Sequence, residues 1–216
     1  MKIIPLFPDY LFEYDYPDHE KNKDLLIERI RSLKDYYPPH KQRDEVSGKL
    51  NTLITSHPDI YKDELFIPIK DYLKSCVNET LSQLGFMPNS TITSMWTNYQ
   101  TKNGVNQSHT HFNTYLVAIY YLHCSNNLAR GTRFLNRNFT RYSIITPPID
   151  YMKDQMIKAD YETNFIPGKV YVFHSFLQHA TYPNEDEERM MIGINAMPLG
   201  KTNCDPWDRY NYSEQE

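Results

Sequence analysis

Hydrophobic positions recur at helical spacing in two stretches of the first third of the chain. The first stretch predicts an amphipathic helix over residues 22–33, ending before Pro38 and Pro39. Its apolar positions are Leu26, Ile27, Ile30 and Leu33. The second stretch predicts a helix over residues 69–84, with Gly85 as a left-handed cap and Pro88 beyond it.

From residue 90 onwards the helical spacing gives way to short runs rich in β-branched and aromatic residues, divided by turn-forming residues. These runs predict strands at residues 90–99, 116–122, 170–173 and 190–196. The expected fold class is therefore mainly β with flanking helices (α+β). Helices would lie within about residues 1–88, a β core within about 90–200, and a short tail after it. At 216 residues, a single domain over residues 1–216 is the expectation.

The last strand run has two different faces. Alternation places Arg189, Met191, Gly193 and Asn195 on one face. The intervening residues, which are all apolar, are Met190, Ile192, Ile194 and Ala196. The first face can line a cavity, because a glycine lets a ligand or another backbone approach closely, and the second can pack against helices or a second sheet.

A histidine pair two residues apart is the strongest chemical signal in the chain. His109 and His111 would point to one face of a strand, and His179 would reach the same metal from another strand. Arg189 follows ten residues later, and its guanidinium is suited to bidentate pairing with a carboxylate. These residues predict an open metal site beside a site for an organic acid. His123 and His174 do not fit this spacing and are expected to be structural.

Composition excludes several function classes. No run of about 18 apolar residues is available to cross a bilayer, and the opening segment has neither the charge nor the continuity of a secretory or transit peptide, so a cytoplasmic location is expected. The formal net charge is -4 and no basic block is interleaved with aromatic residues, which makes nucleic acid a poor partner. Three cysteines without a CxxC pair fit reducing conditions.

Residues 146–164 form an insertion that is too polar for a core strand. Long excursions in compact domains are often lids or binding loops, and an ordinary surface loop is an equal alternative.

An ordered set of residues in the second half of the chain resembles the small 2-oxoglutarate- and Fe(II)-dependent oxygenases of marine bacteria and T4-like phages. The set comprises Trp96-x-Asn98, Gly104, His109-x-His111-x-Asn113, Ile119-Tyr120-Tyr121-Leu122, Gly131, Phe165-x-Pro167-Gly168, Phe173, His179, Arg189 and Asn195. This resemblance implies a double-stranded β-helix (a jelly roll, cupin-like) with the metal between its two sheets.

The resemblance also implies a set of roles. Fe(II) would be held by His109, His111 and His179, and the cosubstrate 2-oxoglutarate would chelate it while Arg189 pairs with the distal carboxylate. Reaction with O2 would hydroxylate an acceptor and release succinate and CO2. Tyr99 and Tyr121 are candidates to hydrogen-bond the cosubstrate. Asn195 would support either Arg189 or the substrate.

One position departs from the pattern of the wider superfamily. His111 stands where most such enzymes carry an aspartate or glutamate. A neutral imidazole leaves one more unit of positive charge on the site, and it can loosen the preference for iron over other metals that favour imidazole. The identity of the metal is therefore open at this stage.

Two other functional hypotheses for the same residues remain open. One is a cupin-like metalloenzyme that does not use 2-oxoglutarate, although no acid lies among residues 112–116 after the histidine pair. The other is a non-catalytic β domain with a structural metal, which would need a closed four-ligand site. The acceptor, a protein side chain or a small molecule, and the oligomeric state are not determined by the sequence. If the chain is phage-encoded, it would act in the host cytoplasm.

Overall fold

Two antiparallel sheets, a two-stranded ribbon and two helices make up the part of the chain described by a computed structural model, residues 9–34, 37, 52–126, 129–137, 158–201 and 211–212. The helices are α1 (His19–Leu33) and α2 (Ile67–Gln83). The strands are β1 (Leu11–Asp15), β2 (Leu53–Thr55), β3 (Ser90–Gln100), β4 (Leu116–Cys124), β5 (Arg130–Leu135), β6 (Asp160–Asn164), β7 (Lys169–His174), β8 (His179–Thr181), β9 (Arg189–Pro198), β10 (Gly200–Lys201) and β11 (Asn211–Tyr212). The predicted fold class is confirmed.

The six-stranded sheet, here called the major sheet, has the order β1-β7-β4-β9-β3-β2, and the three-stranded minor sheet has the order β6-β5-β8. Strands β4 and β9 occupy the centre of the major sheet and pair along most of their length. Nearly every residue of β4 is buried, because both of its faces are covered. This two-sided burial explains the continuous apolar run of residues 116–122.

One face of the major sheet packs against both helices. Alternate residues of the central strands form this core with the apolar stripes of α1 and α2. The residues that β4, β7 and β9 contribute to this core are Leu116, Ala118, Tyr120, Leu122, Val170, Val172, Met190, Ile192, Ile194 and Ala196. The apolar face predicted for the last strand therefore does pack against helices.

The other face of the major sheet packs against the minor sheet. Val117, Ile119 and Tyr121 of β4 lie in this second core with Phe134 of β5 and Phe173 of β7. Successive residues of one strand thus supply two different cores, as expected for period-two alternation. The space between the sheets continues into an open cavity where the packing residues become polar.

Both predicted helices are confirmed, with small shifts of their ends. Helix α1 begins at His19 instead of residue 22, and α2 begins at Ile67, with a proline in its first turn. Gly85 adopts a positive φ of 83° after α2, and the Phe86 N–H donates to the Leu81 carbonyl at 2.8 Å, which is the glycine cap the sequence predicts.

Seven of the described strands are absent from the prediction by hydrophobic pattern: β1, β2, β5, β6, β8 and the short ribbon strands β10 and β11. The region expected to hold only helices also contributes β1 and β2, which close the two edges of the major sheet. The prediction lacks the whole minor sheet, because β8 has only three residues and β5 and β6 are rich in polar residues. Strand β6 lies inside the insertion at 146–164 and is an edge strand of the minor sheet, which tolerates its polarity. Residues 146–157 lie outside the described part.

Within the described residues, none of the helices is long and apolar enough to span a membrane.

Neighbouring leucines on α1 give a direct test of the helix-facing core. Leu26 is 1% exposed and Leu25 is 56% exposed. We expect Leu26→Ala to lower the free energy of unfolding by about 2–5 kcal/mol, since it leaves a cavity, and Leu25→Ala to change it by less than about 0.5 kcal/mol. Urea unfolding followed by circular dichroism measures both. Equal losses in the two variants would contradict this packing of α1.

Candidate metal centre

Three histidines converge at the edge of the space between the two sheets. His109 and His111 lie in the connection between β3 and β4, and His179 begins β8. One ligand nitrogen from each residue lies within 4.8 Å of the others, and the Nε2 atoms of His111 and His179 are 3.3 Å apart. The predicted grouping of these side chains is thus present in the fold.

The secondary structure around His109 and His111 differs from the prediction, which placed both residues in a strand. His109 and His111 are not in a strand, and His109 forms only an isolated bridge with His179. In that bridge each backbone N–H donates to the other residue's carbonyl at 3.0 Å. The His111 N–H donates to the Ser175 carbonyl at 2.9 Å. These bonds fix the histidine pair against β8 and the turn before it, so convergence does not require the alternation of a regular strand.

Each of the three rings has its Nδ1 atom occupied by an oxygen acceptor. Nδ1 lies 2.7 Å from the Gln107 carbonyl in His109 and 2.8 Å from the Leu177 carbonyl in His179. Nδ1 of His111 lies 2.8 Å from Oδ1 of Asn195. Because these oxygens only accept, the hydrogen-bond network assigns the proton to Nδ1 in all three rings and leaves each Nε2 with a free lone pair.

The donor set fits a metal ion of the kind that imidazole favours. Two lone-pair nitrogens 3.3 Å apart repel each other, and a cation between them removes that repulsion. Nitrogens about 2.1 Å from one ion at right angles are about 3 Å apart, close to this separation. Oxygen acceptors behind ligating imidazoles are the usual way of fixing their tautomer and orientation.

The environment keeps two of these rings neutral. Burial and the neighbouring His109 lower the pKa of His179 to about 3, and the same two causes lower the pKa of His111 to about 4. Phe173 and Phe134 pack on the His179 ring, with centroid separations of 4.8 and 6.1 Å. At pH 7 the uncharged imidazoles are available as ligands without losing a proton.

Asn195 and Trp96 hold His111 in place from two sides. Asn195 accepts from the His111 ring and donates from Nδ2 to Ser94 Oγ at 2.9 Å. The Trp96 ring stacks on His111 with a centroid separation of 5.5 Å. A Cβ on Gly193 would lie 2.5 Å from the Trp96 indole, so the close approach predicted at this glycine is made by Trp96. Asn195, predicted to support Arg189 or the substrate, instead contacts His111.

A cavity of about 590 Å³ opens beside the three histidines. Met191, Gly193 and Asn195 of β9 line it, which agrees with the face predicted from alternation. Other parts of its wall come from β3, from the segment before His109 and from the end of β2. The cavity is thus continuous with the metal-ligand candidates and has room for more than water.

Arg189 lies on the same face of β9, beyond Met191, and is 1% exposed. Its Nε donates to Gln100 Oε1 at 2.6 Å, and its terminal nitrogens donate to the backbone carbonyls of Arg130 and Tyr182 at 2.9 and 3.2 Å. Among the described residues, none of the carboxylates forms an ion pair with it. A buried cation without an anionic partner is costly, which makes this position favourable for an anionic ligand.

Gln100 is a residue that the sequence analysis missed. It is fully buried on the cavity-facing side of β3, opposite Arg189 in the strand register. Its Oε1 accepts from Arg189, whereas its Nε2 has no hydrogen-bond partner. Alternation from Trp96 through Asn98 to Gln100 places it on the same face, and that alternation could have identified it.

The two tyrosines predicted to contact the cosubstrate lie in different surroundings. Tyr121 is buried between the sheets, and its hydroxyl contacts Oγ1 of Thr132 and Oγ1 of Thr163 and accepts from the Thr132 N–H. These contacts favour a role in joining β4 to the minor sheet. Tyr99 points the other way, into the helix-facing core, and its hydroxyl donates to Glu188 Oε1 at 2.7 Å.

The prediction for Tyr99 is therefore wrong, because residues 96, 98 and 100 of β3 face the cavity and Tyr99 faces the helices. His123 and His174 lie outside the cluster of three histidines. Cys76 and Cys124 also lie outside it, so the described residues do not provide the fourth ligand that a closed structural zinc site needs.

Comparison with known proteins agrees with this geometry. Residues 94–195 match a family model described as "Putative 2OG-Fe(II) oxygenase". None of the curated protein sequences matches the chain.

Several solved structures share the fold. The non-heme alpha ketoglutarate dependent epimerase SnoN from nogalamycin biosynthesis has a TM-score of 0.62 at 10% identity, covering 96% of this chain and 92% of its own. A Pseudomonas putida prolyl-4-hydroxylase has a TM-score of 0.55 at 14% identity, covering 88% and 93%. The collagen prolyl hydroxylase vCPH of Paramecium Bursaria Chlorella virus-1 has a TM-score of 0.53 at 11% identity, covering 88% and 96%.

The matched segment includes the three histidines and Arg189, and the shared fold is the double-stranded β-helix that the sequence resemblance implies. Residues 94–195, just under half of the chain, are therefore similar to the 2OG-Fe(II) oxygenases, and the residues of the site fit Fe(II) and 2-oxoglutarate as cofactors.

Proposed function

We propose that His109, His111 and His179 hold Fe(II), that Arg189 and Gln100 bind the distal carboxylate of 2-oxoglutarate, and that the enzyme hydroxylates an acceptor in the cavity. The observation that carries this proposal is the convergence of three Nε2 lone pairs, each fixed by an oxygen behind its ring. Three protein ligands leave half of an octahedron for cosubstrate and oxygen.

The metal and cosubstrate, when bound, supply the oxidising chemistry, in which O2 and 2-oxoglutarate are consumed and succinate and CO2 are released. The chain itself binds and orients the reactants. His109 and His179 are tied by reciprocal backbone bonds, so two ligands move as one unit. Phe134 and Phe173 exclude water from the inner side of His179.

Arg189 and Gln100 together offer what a carboxylate requires. Burial lowers the pKa of Arg189 to about 10, which still leaves the guanidinium protonated at pH 7. The unpartnered Nε2 of Gln100 is a second buried donor beside it. A carboxylate bound here would pair with the cation and accept from the amide, which offsets the cost of burying both groups.

The fold neighbours suggest two classes of acceptor. SnoN was solved in complex with Fe3+, alpha ketoglutarate and nogalamycin RO, whereas vCPH is a collagen prolyl hydroxylase. For this chain we accordingly propose a small molecule or a protein side chain as acceptor, and no nucleic acid. The narrower resemblance to oxygenases of marine bacteria and T4-like phages stays a prediction, as does a cytoplasmic location, which the free thiol of Cys76 supports.

Metal binding tests the three-histidine centre. We expect His179→Ala to abolish tight binding of one Fe(II) per chain under anaerobic conditions, because it removes the buried ligand. Asn195→Leu should weaken binding about 10- to 100-fold, since His111 loses the acceptor that fixes its tautomer. Titration calorimetry measures both, with His123→Ala as the matched control outside the cluster. Stoichiometric Fe(II) in His179→Ala would exclude that ligand.

Cosubstrate affinity tests the carboxylate site. With Zn2+ as an inert metal, we expect Arg189→Met and Gln100→Leu each to raise the Kd for 2-oxoglutarate, by about 10- to 100-fold for Arg189 because a charge-assisted bond is lost. Metal affinity should be retained. Arg133→Ala, which breaks the Arg133–Asp160 ion pair on β5 and β6, is the control. Because a buried arginine can be needed for folding, Gln100→Leu alone decides the assignment if Arg189→Met is unstable.

Turnover tests the reaction class. The wild-type protein, loaded anaerobically with Fe(II) and then exposed to O2, should form succinate from 2-oxoglutarate, faster when an acceptor is present. A protein that binds metal but neither binds nor consumes 2-oxoglutarate would instead be a metalloenzyme of the cupin type.

A further inference from the structure

The wall of the cavity beside the histidines carries no ionisable acid or base other than the histidines themselves, among the described residues that line it. Asparagine, glutamine, serine and threonine supply its polar surface, and Trp96, Ile119 and Met191 supply apolar surface. In a chain with 23 basic and 27 acidic residues, this uncharged composition separates the cavity from the rest of the molecule.

Several neutral donors of this wall have no partner among the described residues. Asn98 is 8% exposed, and its Oδ1 accepts from Thr55 Oγ1 at 3.1 Å, whereas its Nδ2 makes no hydrogen bond there. The Trp96 indole N–H and the Ser108 hydroxyl are likewise without a described partner, and both residues line the cavity. Trp96 is partly buried and Ser108 is exposed, so these donors face the open space of the cavity, where a ligand with oxygen acceptors would satisfy them.

The two cations of the site, the metal and Arg189, are not available to pair with a charged acceptor. The two carboxylates of 2-oxoglutarate would lie on the metal and on Arg189 under the proposed function. A charged acceptor would then lose its hydration beside a wall that provides no counter-charge. An uncharged acceptor with hydroxyl, carbonyl or ether oxygens avoids this cost and satisfies the open donors.

We infer that the group entering this cavity for oxidation is uncharged and oxygen-bearing, held by Trp96, Asn98 and Ser108 against the metal side. This inference rests on the proposed function, of which it names the acceptor class. The volume of about 590 Å³ lies within the range of small-molecule pockets, roughly 300–1,000 Å³, so it can hold the cosubstrate and one acceptor group of modest size.

Matched probes of equal shape and different charge test the inference by binding alone. The protein carries Zn2+ and 2-oxoglutarate, so that no turnover occurs, and saturation-transfer NMR measures the Kd of each probe. The pairs are methyl β-glucoside with glucuronate, uridine with its 5′-monophosphate, and the peptide unit N-acetyl-prolinamide with N-acetyl-proline. We expect at least one neutral member to bind and to bind about ten-fold more tightly than its charged partner.

A charged substitution in the cavity wall is the second test of this inference. Asn98→Asp keeps the acceptor for Thr55 but replaces the unpartnered amide by an anionic oxygen, so the Kd of a bound neutral probe should rise about ten-fold. Asn103→Asp is the matched control, since Asn103 lies outside the cavity lining and has a positive φ of 74° that aspartate tolerates. It should leave probe binding unchanged.

The outcomes separate this inference from the function on which it rests. Tighter binding of a charged member in any pair, no binding of any neutral member, or an unchanged Kd in Asn98→Asp overturns the neutral-acceptor inference, provided that Zn2+ and 2-oxoglutarate bind. Failure of Zn2+ or 2-oxoglutarate to bind the wild-type protein overturns the proposed function as well. Preference for the glycoside, the nucleoside or the prolyl unit identifies the source of the neutral group.

Discussion

The forced proximity of three imidazole lone pairs is the constraint on which the rest of this site depends. Each ring gives its Nδ1 proton to an oxygen of the scaffold, so the rings cannot relieve their mutual repulsion by donating to one another. Repulsion between like dipoles in a desolvated place is tolerated only where the surrounding structure holds the groups together or where a cation neutralises them. The fold supplies the first condition and a metal ion supplies the second.

The scaffold meets this constraint by placing the ligands on backbone that is fixed elsewhere. Strands β4 and β9 are packed on both faces, by the helices on one side and by the minor sheet on the other. Asn195 belongs to β9, so the residue that accepts from the His111 ring is part of a central, largely buried strand of the major sheet. The histidine pair itself lies in a loop, and its position derives from bonds to β8 and to the turn at Ser175. Precision at the metal is thus provided by rigid neighbours, in agreement with the general need for support behind ligating side chains.

Charge is distributed unevenly over the space between the sheets. The inner end holds a buried guanidinium with a glutamine beside it, the middle holds the three imidazoles, and the rest of the cavity wall carries no ionisable side chain. Since a dicarboxylic cosubstrate needs cations at both ends, this arrangement matches a metal at one end and Arg189 at the other. An imidazole in place of a carboxylate at His111 leaves the metal with its full charge, which strengthens its attraction for the anionic cosubstrate.

The sequence by itself determined the helices, strands β3, β4, β7 and β9, the two faces of β9 and the set of histidines. The helices and strands were predictable from local periodicity, which is clear wherever an element has an apolar face. The histidines were predictable from their residue type and spacing. The strands of the minor sheet carry no such signal, because β5 and β6 are rich in polar residues and β8 has only three residues.

Only the tertiary structure decided which polar residues share a space. Tyr99 and Gln100 are adjacent in sequence, yet one faces the helices and the other pairs with Arg189, and a one-residue difference in register reverses that choice. The contact of Asn195 with His111, 84 residues apart, is set by the packing of the His111 loop against β9, which the local sequence pattern does not encode.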